Sequence, residues 1–306
     1  MDPARLHRRG AAWLRAARPL AFPNLAAPLL CGQTLAWEAH GFFAAAGLLI
    51  ALAYGLCNQL YIVFLNDYAD RRVDALNPRP TFFSGGSRVL PLGLLPPAGL
   101  RRAGLVAGAG ALALAVGSGA RSGTFEPTAP LLAAAGLGLL WAYSFPPVRL
   151  NYRGGGEALQ GLGCGAILPL LGFYFQAGTL AGFPWPLLPV LVALNTVGSI
   201  GTSLPDATAD RSTGKKTWAA RRGVSAACSA ALLLGGAALV LSWSAALTRS
   251  AAYWPEAAAA LFLGAALVTR LVMRGARAPA YSMRLGLLLA AAPQAYAAAY
   301  GRIWWN

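Results

Sequence analysis

The sequence predicts an all-α polytopic membrane protein, a bundle of nine transmembrane helices. Three observations carry that prediction. Hydrophobic residues make up 57% of the 306 and charged residues only 11%, far from the mix of a soluble domain. Uncharged apolar runs recur from one end of the chain to the other, most of them near the ~20 residues that cross the hydrocarbon core. Prolines, glycines and basic residues collect between those runs. The length alone would accommodate two soluble domains, but the composition points to a single integral-membrane domain over residues 1–306.

Taken in order, residues 1–17 form a basic lead with Trp13 that reads as an amphipathic helix on the membrane surface, retained rather than cleaved. Spans are expected at 19–37, 42–66, 99–117, 128–145, 157–178, 184–206, 223–246, 251–272 and 284–301. Cys31, Cys57, Cys164 and Cys228 all lie inside apolar segments without metal-binding spacing, which reads as packing. With only His7 and His40 in the chain, zinc or histidine-based catalysis is not expected. The net charge of +15 does not indicate nucleic acid, because the basic residues sit in short connectors and no soluble basic domain exists to carry it. Anionic lipid head groups and an anionic substrate suit it better. With a cytoplasmic amino terminus, 22 of the 25 Lys and Arg fall inside and Arg121, Arg249 and Arg302 outside, the distribution of the positive-inside rule. The protein is thus expected in a cell membrane with its acidic segments on the cytoplasmic side.

Those acidic segments organise the chain. Asp67, Asp70 and Asp74 stand at i, i+3 and i+7, so a helix continuing through them places all three on one face, with Asn66 one turn behind Asp70. Asp206 and Asp210 follow a later apolar run at i, i+4, trailed by Lys215 and Lys216. Five of the ten acidic residues therefore sit in two places, each at the end of a membrane-length apolar segment. Acids at a membrane edge need a counter-ion or a task. A hard divalent cation such as Mg2+, which takes oxygen ligands and completes its shell with water and phosphate, fits this donor set.

The connectors are also informative. Residues 77–97 hold Pro78, Pro80, Pro91, Pro96 and Pro97, so they cannot form one regular helix, and Gly85, Gly86, Ser87 and Arg88 offer main-chain donors and a guanidinium to an anion. A second breaker-rich loop, 143–157, carries Arg149 and Arg153. Gln59 lies on about the same helical stripe as Asn66 and Asp70, and Asn195 stands eleven residues before Asp206. A polar-lined cavity between these two helices is expected, with apolar and aromatic walls around it. The rings of Tyr143, Tyr174 and Tyr296 are candidates to face a cation there.

The segment Asn66–Asp74, "NDYADRRVD", resembles the first aspartate motif of the UbiA-type intramembrane prenyltransferases, and "DATAD" with the trailing "GKKT" resembles their second. The resemblance extends over almost the whole chain through "RPLAFPNLAAPLLCG" (18–32), "SGGSRVLPLGLL" (84–95) and "YSFPPVRL" (143–150), and the menaquinone-branch members are most similar. It implies a helical bundle around a central lipid-accessible cavity, capped by cytoplasmic catalytic loops at 67–98 and 207–222. It also implies Mg2+-dependent transfer of a prenyl group from a polyprenyl diphosphate to an aromatic acceptor. In the menaquinone branch that acceptor is 1,4-dihydroxy-2-naphthoate, which loses its carboxylate. The metal-binding positions map onto Asn66, Asp67, Asp70, Asp74, Asp206 and Asp210, with Asp67, Asp70, Asp206 and Asp210 the catalytic acids. Arg71, Arg88, Arg149, Lys215 and Lys216 are the candidates for holding diphosphate oxygens, and Gln59, Tyr143 and Asn195 for lining the acceptor or prenyl cavity. Two departures from the family pattern, "SLP" before Asp206 and Trp218 after "GKKT", bear on the acceptor more than on the metal site.

Two other readings use the same residues. A terpene cyclase of the same superfamily would ionise a prenyl diphosphate and return the cation into its own chain. A transporter would use the acids as a cation path, but such acids tend to lie at mid-membrane rather than at span ends.

Overall fold

A computed structural model describes residues 3–76, 86–120, 125–247, 254–273 and 279–300, and every regular element among them is helical. The basic lead forms α1 (Pro3–Ala17), which lies against the third helix through buried Ala12 and Ala16 and an edge-to-face contact of Trp13 with Phe64 at 5.6 Å. A left-handed residue, Arg18, and a short 3-10 turn at Pro19–Ala21 redirect the chain into α2 (Pro23–His40). That helix opens on proline, whose missing N–H is no loss in a first turn, and closes on left-handed Gly41, whose N–H reaches the Trp37 carbonyl.

The third helix, α3 (Ala45–Leu76), is 32 residues long, because nothing in its sequence breaks it before Asn77–Pro78. It continues ten residues past the expected end of the second span, so the first acidic group is helical rather than looped. Next come α4 (Pro97–Gly119) and α5 (Thr128–Ser144). Then α6 (Gly156–Leu162), a π turn at Gly163–Ile167 and α7 (Leu168–Ala177) form one rod. Beyond α8 (Leu188–Ser203) the expected loop at 207–222 contains two short helices, α9 (Ala207–Ser212) and α10 (Trp218–Arg222). The chain ends in α11 (Val224–Leu247), α12 (Trp254–Val272) and α13 (Pro279–Tyr300), the last beginning five residues earlier than expected.

Six of these stretches are long and apolar enough to cross a membrane: Ala45–Leu76, Pro97–Gly119, Gly156–Ala177, Trp185–Ser203, Val224–Ser244 and Trp254–Val272. Helix α5 is apolar but shorter, and α2 and α13, where spans were also expected, do not reach that apolarity, so length and composition support six of the nine. Their outer faces carry exposed Leu49, Leu233, Val240, Trp243 and Leu261, a surface suited to hydrocarbon and not to water. The chain is an integral membrane protein.

Inside the bundle, small residues let backbones approach. A Cβ on Gly32 would collide with the Pro169 carbonyl of α7, and one on Gly172 with the Leu29 carbonyl of α2, so these two helices touch main chain to main chain. Three of the four cysteines are buried and the fourth, Cys57, is half-buried; all are free thiols, as their apolar surroundings led one to expect.

Candidate active site

The last three turns of α3 place Asp67, Asp70 and Asp74 on one face, and that face is turned inward, with exposures of 3%, 2% and 6%. Each acid meets different partners. Asp67 is ion-paired with Arg18 and accepts from the Ser87 hydroxyl and from the Ser87 N–H at 3.3 Å. Asp70 is ion-paired with Lys215 at 2.8 Å and accepts from the Tyr152 hydroxyl at 2.7 Å. Asp74 has no salt-bridge partner among the described residues; Arg88 donates to its main-chain carbonyl rather than to its carboxylate.

The second acidic group follows α8. Asp206 sits at the N-cap position of α9 and is 8% exposed, and Asp210 lies one turn on. Thr217 fixes Asp210 with a hydroxyl donated at 3.0 Å, while the Lys215 N–H closes on the Asp210 carbonyl at 2.9 Å. This segment is stitched to the loop between α5 and α6 and to the first turn of α6. The Lys216 N–H reaches the Asn151 carbonyl at 3.0 Å, and the Trp218 N–H reaches Glu157 Oε1 at 2.5 Å.

One cavity of about 230 Å³ receives both groups. Asn66, Asp70, Asp74, Asp206, Asp210 and Lys215 all line it, together with Arg18 and Tyr143. Burial works against the charged ammonium of Lys215, but Asp70, Tyr143 and Tyr152 outweigh it, so its pKa is raised and it stays protonated. Burial also raises the Tyr152 hydroxyl, which remains a donor to Asp70. Asp210 is raised as well, by burial first, against the opposing pull of Lys215 and Thr217.

Several residues that the sequence nominated lie off this cavity. The Arg71 guanidinium folds over the Tyr68 ring at 4.2 Å, since the intervening turn of α3 points it along the helix surface. Arg149 stacks on Tyr152 at 3.6 Å, Arg88 is held by the Asp74 carbonyl, and the Lys216 side chain is exposed. Of the five cations expected to face a diphosphate, only Lys215 lines the cavity. Gln59 is buried as expected but donates to the Ala17 and Arg18 carbonyls at 3.3 Å, bracing the turn that leads into α2. Asn195 donates to Leu191 of its own helix at 2.9 Å, and Tyr174 and Tyr296 pack in apolar clusters instead of facing the cavity. Asp67 is itself behind the wall, covered by Arg18 and Ser87. Of the anion-binding donors expected in the loop, Ser87 serves Asp67, and Gly85 lies outside the described residues.

Sequence reasoning missed Arg18, Tyr152, Asn151, Glu157, Gln160 and Thr217. The missed signal for Arg18 was its place just before Pro19 in a segment already singled out. For Glu157 it was the rarity of acidic residues in this chain.

Gly86 explains how the wall closes. It is left-handed (φ +65°), and a Cβ there would stand 2.6 Å from Asp67 Oδ1, 2.7 Å from Asp74 Oδ2 and 2.8 Å from Arg18 Nη2. Only a glycine lets main chain lie between these charges.

An all-helical membrane bundle with two acid-bearing segments converging on one polar cavity defines a class of intramembrane enzyme-like architecture, and the comparisons specify it. The UbiA prenyltransferase family model matches residues 25–292, and the chain belongs to that family. Among solved structures it is similar to a UbiA homologue from Archaeoglobus fulgidus bound to DMAPP and Mg2+, with 19% identity over 94% of this chain and 98% of that one and a TM-score of 0.64. It is also similar to the apo UbiA homologue from Aeropyrum pernix K1, at 18% identity over 88% and 96% with a TM-score of 0.67. A third similar structure is described as digeranylgeranylglyceryl phosphate synthase, at 14% identity over 95% and 97% with a TM-score of 0.65. At these identities the likeness is one of fold. No curated protein matches the sequence.

Proposed function

We propose that the protein transfers a prenyl group from a prenyl diphosphate to an aromatic acceptor, in a reaction that depends on Mg2+. The observation that carries this reading is the single cavity lined by Asp70 and Asp74 from one segment and by Asp206 and Asp210 from a remote one, with Lys215 between them. The donor set fits magnesium: carboxylates and the Asn66 amide are hard oxygen ligands, and among the described residues no thiol or imidazole lines the cavity. Among the described residues no three acids, histidines or cysteines cluster tightly enough to hold an ion by themselves. That suits a cation whose shell is completed by water and substrate phosphate. The A. fulgidus homologue bound to DMAPP and Mg2+ supports the same pairing of ligands.

Asn66, Asp70 and Asp74 on one side and Asp206 and Asp210 on the other would each contribute ligands to magnesium ions, which when bound would neutralise the charge that grows on the departing diphosphate. Lys215 and Arg18, the cations on the wall among the described residues, bind the remaining oxygens. Asp67 acts behind them by holding Arg18 in place, and Tyr152 orients Asp70. The Tyr143 ring lines the chamber where the allylic cation forms. The resemblance of the two motifs to the menaquinone branch makes 1,4-dihydroxy-2-naphthoate the first acceptor to try. The distribution of Lys and Arg supports a cytoplasmic site.

Purified protein incubated with magnesium, a labelled prenyl diphosphate and a panel of phenolic and naphthoic acceptors tests the reading by product mass. The expected result is an acceptor-dependent product heavier by the prenyl group and lost on chelation. Hydrocarbon or alcohol formed equally without any acceptor would overturn transfer in favour of cyclisation.

A further inference from the structure

Glu157 takes no part in that clamp, yet it lies in the cavity wall at 7% exposure. It stands in the first turn of α6, where a helix dipole favours an anion. Its Oε1 accepts from the Trp218 N–H at 2.5 Å. Dipole and bond together account for one oxygen. The other, Oε2, has no hydrogen-bond partner among the described residues and is left to whatever occupies the cavity, so a ligand there can supply its donor. Gln160 stands three residues on, on the same face of α6 and in the same wall. Its Oε1 accepts from the Ser199 hydroxyl at 2.9 Å, which leaves the amide NH2 as the group turned to other partners. An acceptor and a donor one helical turn apart thus face a space bordered by Ser199, Thr202 and Ser203 of α8.

A hydroxyl group satisfies both at once: it donates to the carboxylate and accepts from the amide. A carboxylate on the ligand does not, because it has no proton to give and meets a like charge. We propose that Glu157 and Gln160 form a recognition site for a hydroxyl on the aromatic acceptor, and that Glu157 excludes carboxylates from this wall. The proposal rests on the prenyl-transfer reading and names the part of the acceptor that α6 sees. An acceptor that carries a carboxylate too has to turn it towards Arg18 and Lys215.

The test is equilibrium dialysis on the full chain in detergent with three probes of one size: 1-naphthol, 1-methoxynaphthalene and 1-naphthoate. Wild type should bind naphthol about tenfold tighter than its methyl ether, the worth of a charge-assisted hydrogen bond, and naphthoate more weakly than naphthol. Glu157→Gln keeps an oxygen for the Trp218 N–H and should erase most of the preference for naphthol over its ether. Gln160→Leu should weaken naphthol severalfold while naphthoate stays excluded. Equal binding of naphthol and its ether by wild type, or a preference unchanged in Glu157→Gln, overturns the proposal without recourse to any variant that fails to fold. Labelled geranyl diphosphate with magnesium, dialysed in parallel, separates the two readings. Its failure to bind wild type removes the prenyl-transfer reading, whereas its normal binding beside an absent naphthol preference removes only the hydroxyl site.

Discussion

The two acidic groups that share the cavity are held in different ways. The first rides on a continuous helix of 32 residues, and two of its three acids are ion-paired to side chains from elsewhere in the chain, Arg18 and Lys215. The second has no long helix beneath it. Asp206 stands at the N-cap position of a six-residue helix without a side-chain capping bond, and Asp210 is positioned by main-chain turns and one threonine hydroxyl. A long helix fixes side chains by geometry and needs counter-charges only to remove repulsion. A looped segment has to be stitched to its neighbours, here through Asn151 and Glu157. Lys215 belongs to the second segment but binds the first, so it is the tie between a rigid wall and an adaptable one.

The strongest way to break this comparison is to neutralise one acid on each side. Asp70→Asn neutralises a proposed metal ligand, strands the mostly buried Lys215 ammonium and weakens the Tyr152 bond. Loss of one partner of such a pair should destabilise the protein by about 3 kcal/mol, and turnover should fall by about 10²–10³-fold. Asp210→Asn should lose turnover to a similar degree but lower stability by less than about 1 kcal/mol, because among the described residues only the Thr217 hydroxyl donates a hydrogen bond to its carboxylate. Thermal unfolding in detergent beside product formation measures both, and equal losses of stability would erase the distinction between the walls.

Much of this was legible in the residues. The helical periodicity of Asp67, Asp70 and Asp74 and the absence of a breaker before Pro78 fixed their common face, and the apolar runs fixed the helical class. The cations were read less well, for a physical reason. Spacing tells which face of a helix a residue occupies, but an arginine side chain can fold back on a ring or a carbonyl within reach, as Arg71, Arg149 and Arg88 do. Arg18 was overlooked because its role depends on a left-handed turn between α1 and α2 that no periodicity announces. Gln59 illustrates the same limit: its inward face was legible, but not that its amide would be engaged by the main chain of that turn.

A smaller effect sharpens the comparison through two glycines, both left-handed, one beside each group. Gly86→Ala combines the left-handed penalty with a Cβ lying less than 3.0 Å from Asp67, Asp74 and Arg18. It should destabilise by about 2–3 kcal/mol in total and cut turnover about tenfold. Gly214, at φ +79°, has nothing within 4 Å of such a Cβ, so Gly214→Ala carries the backbone penalty alone, about 1 kcal/mol. A Gly214→Ala loss as large as that of Gly86→Ala would mean that the second wall is as tightly closed as the first.

The smallest expected effect isolates the stitching itself. Thr217 donates to Asp210 and also caps α10 by accepting the Ala220 N–H at 3.3 Å. Thr217→Val keeps the shape and removes both bonds, which should lower stability by about 1 kcal/mol and slow turnover only severalfold, since Asp210 itself remains. Thr217→Ser restores the hydroxyl without the methyl group and should recover both quantities. If valine and serine behaved alike, Asp210 would be held by the turn of α9 alone, and the second wall would owe its shape to main chain in the way the first owes it to α3.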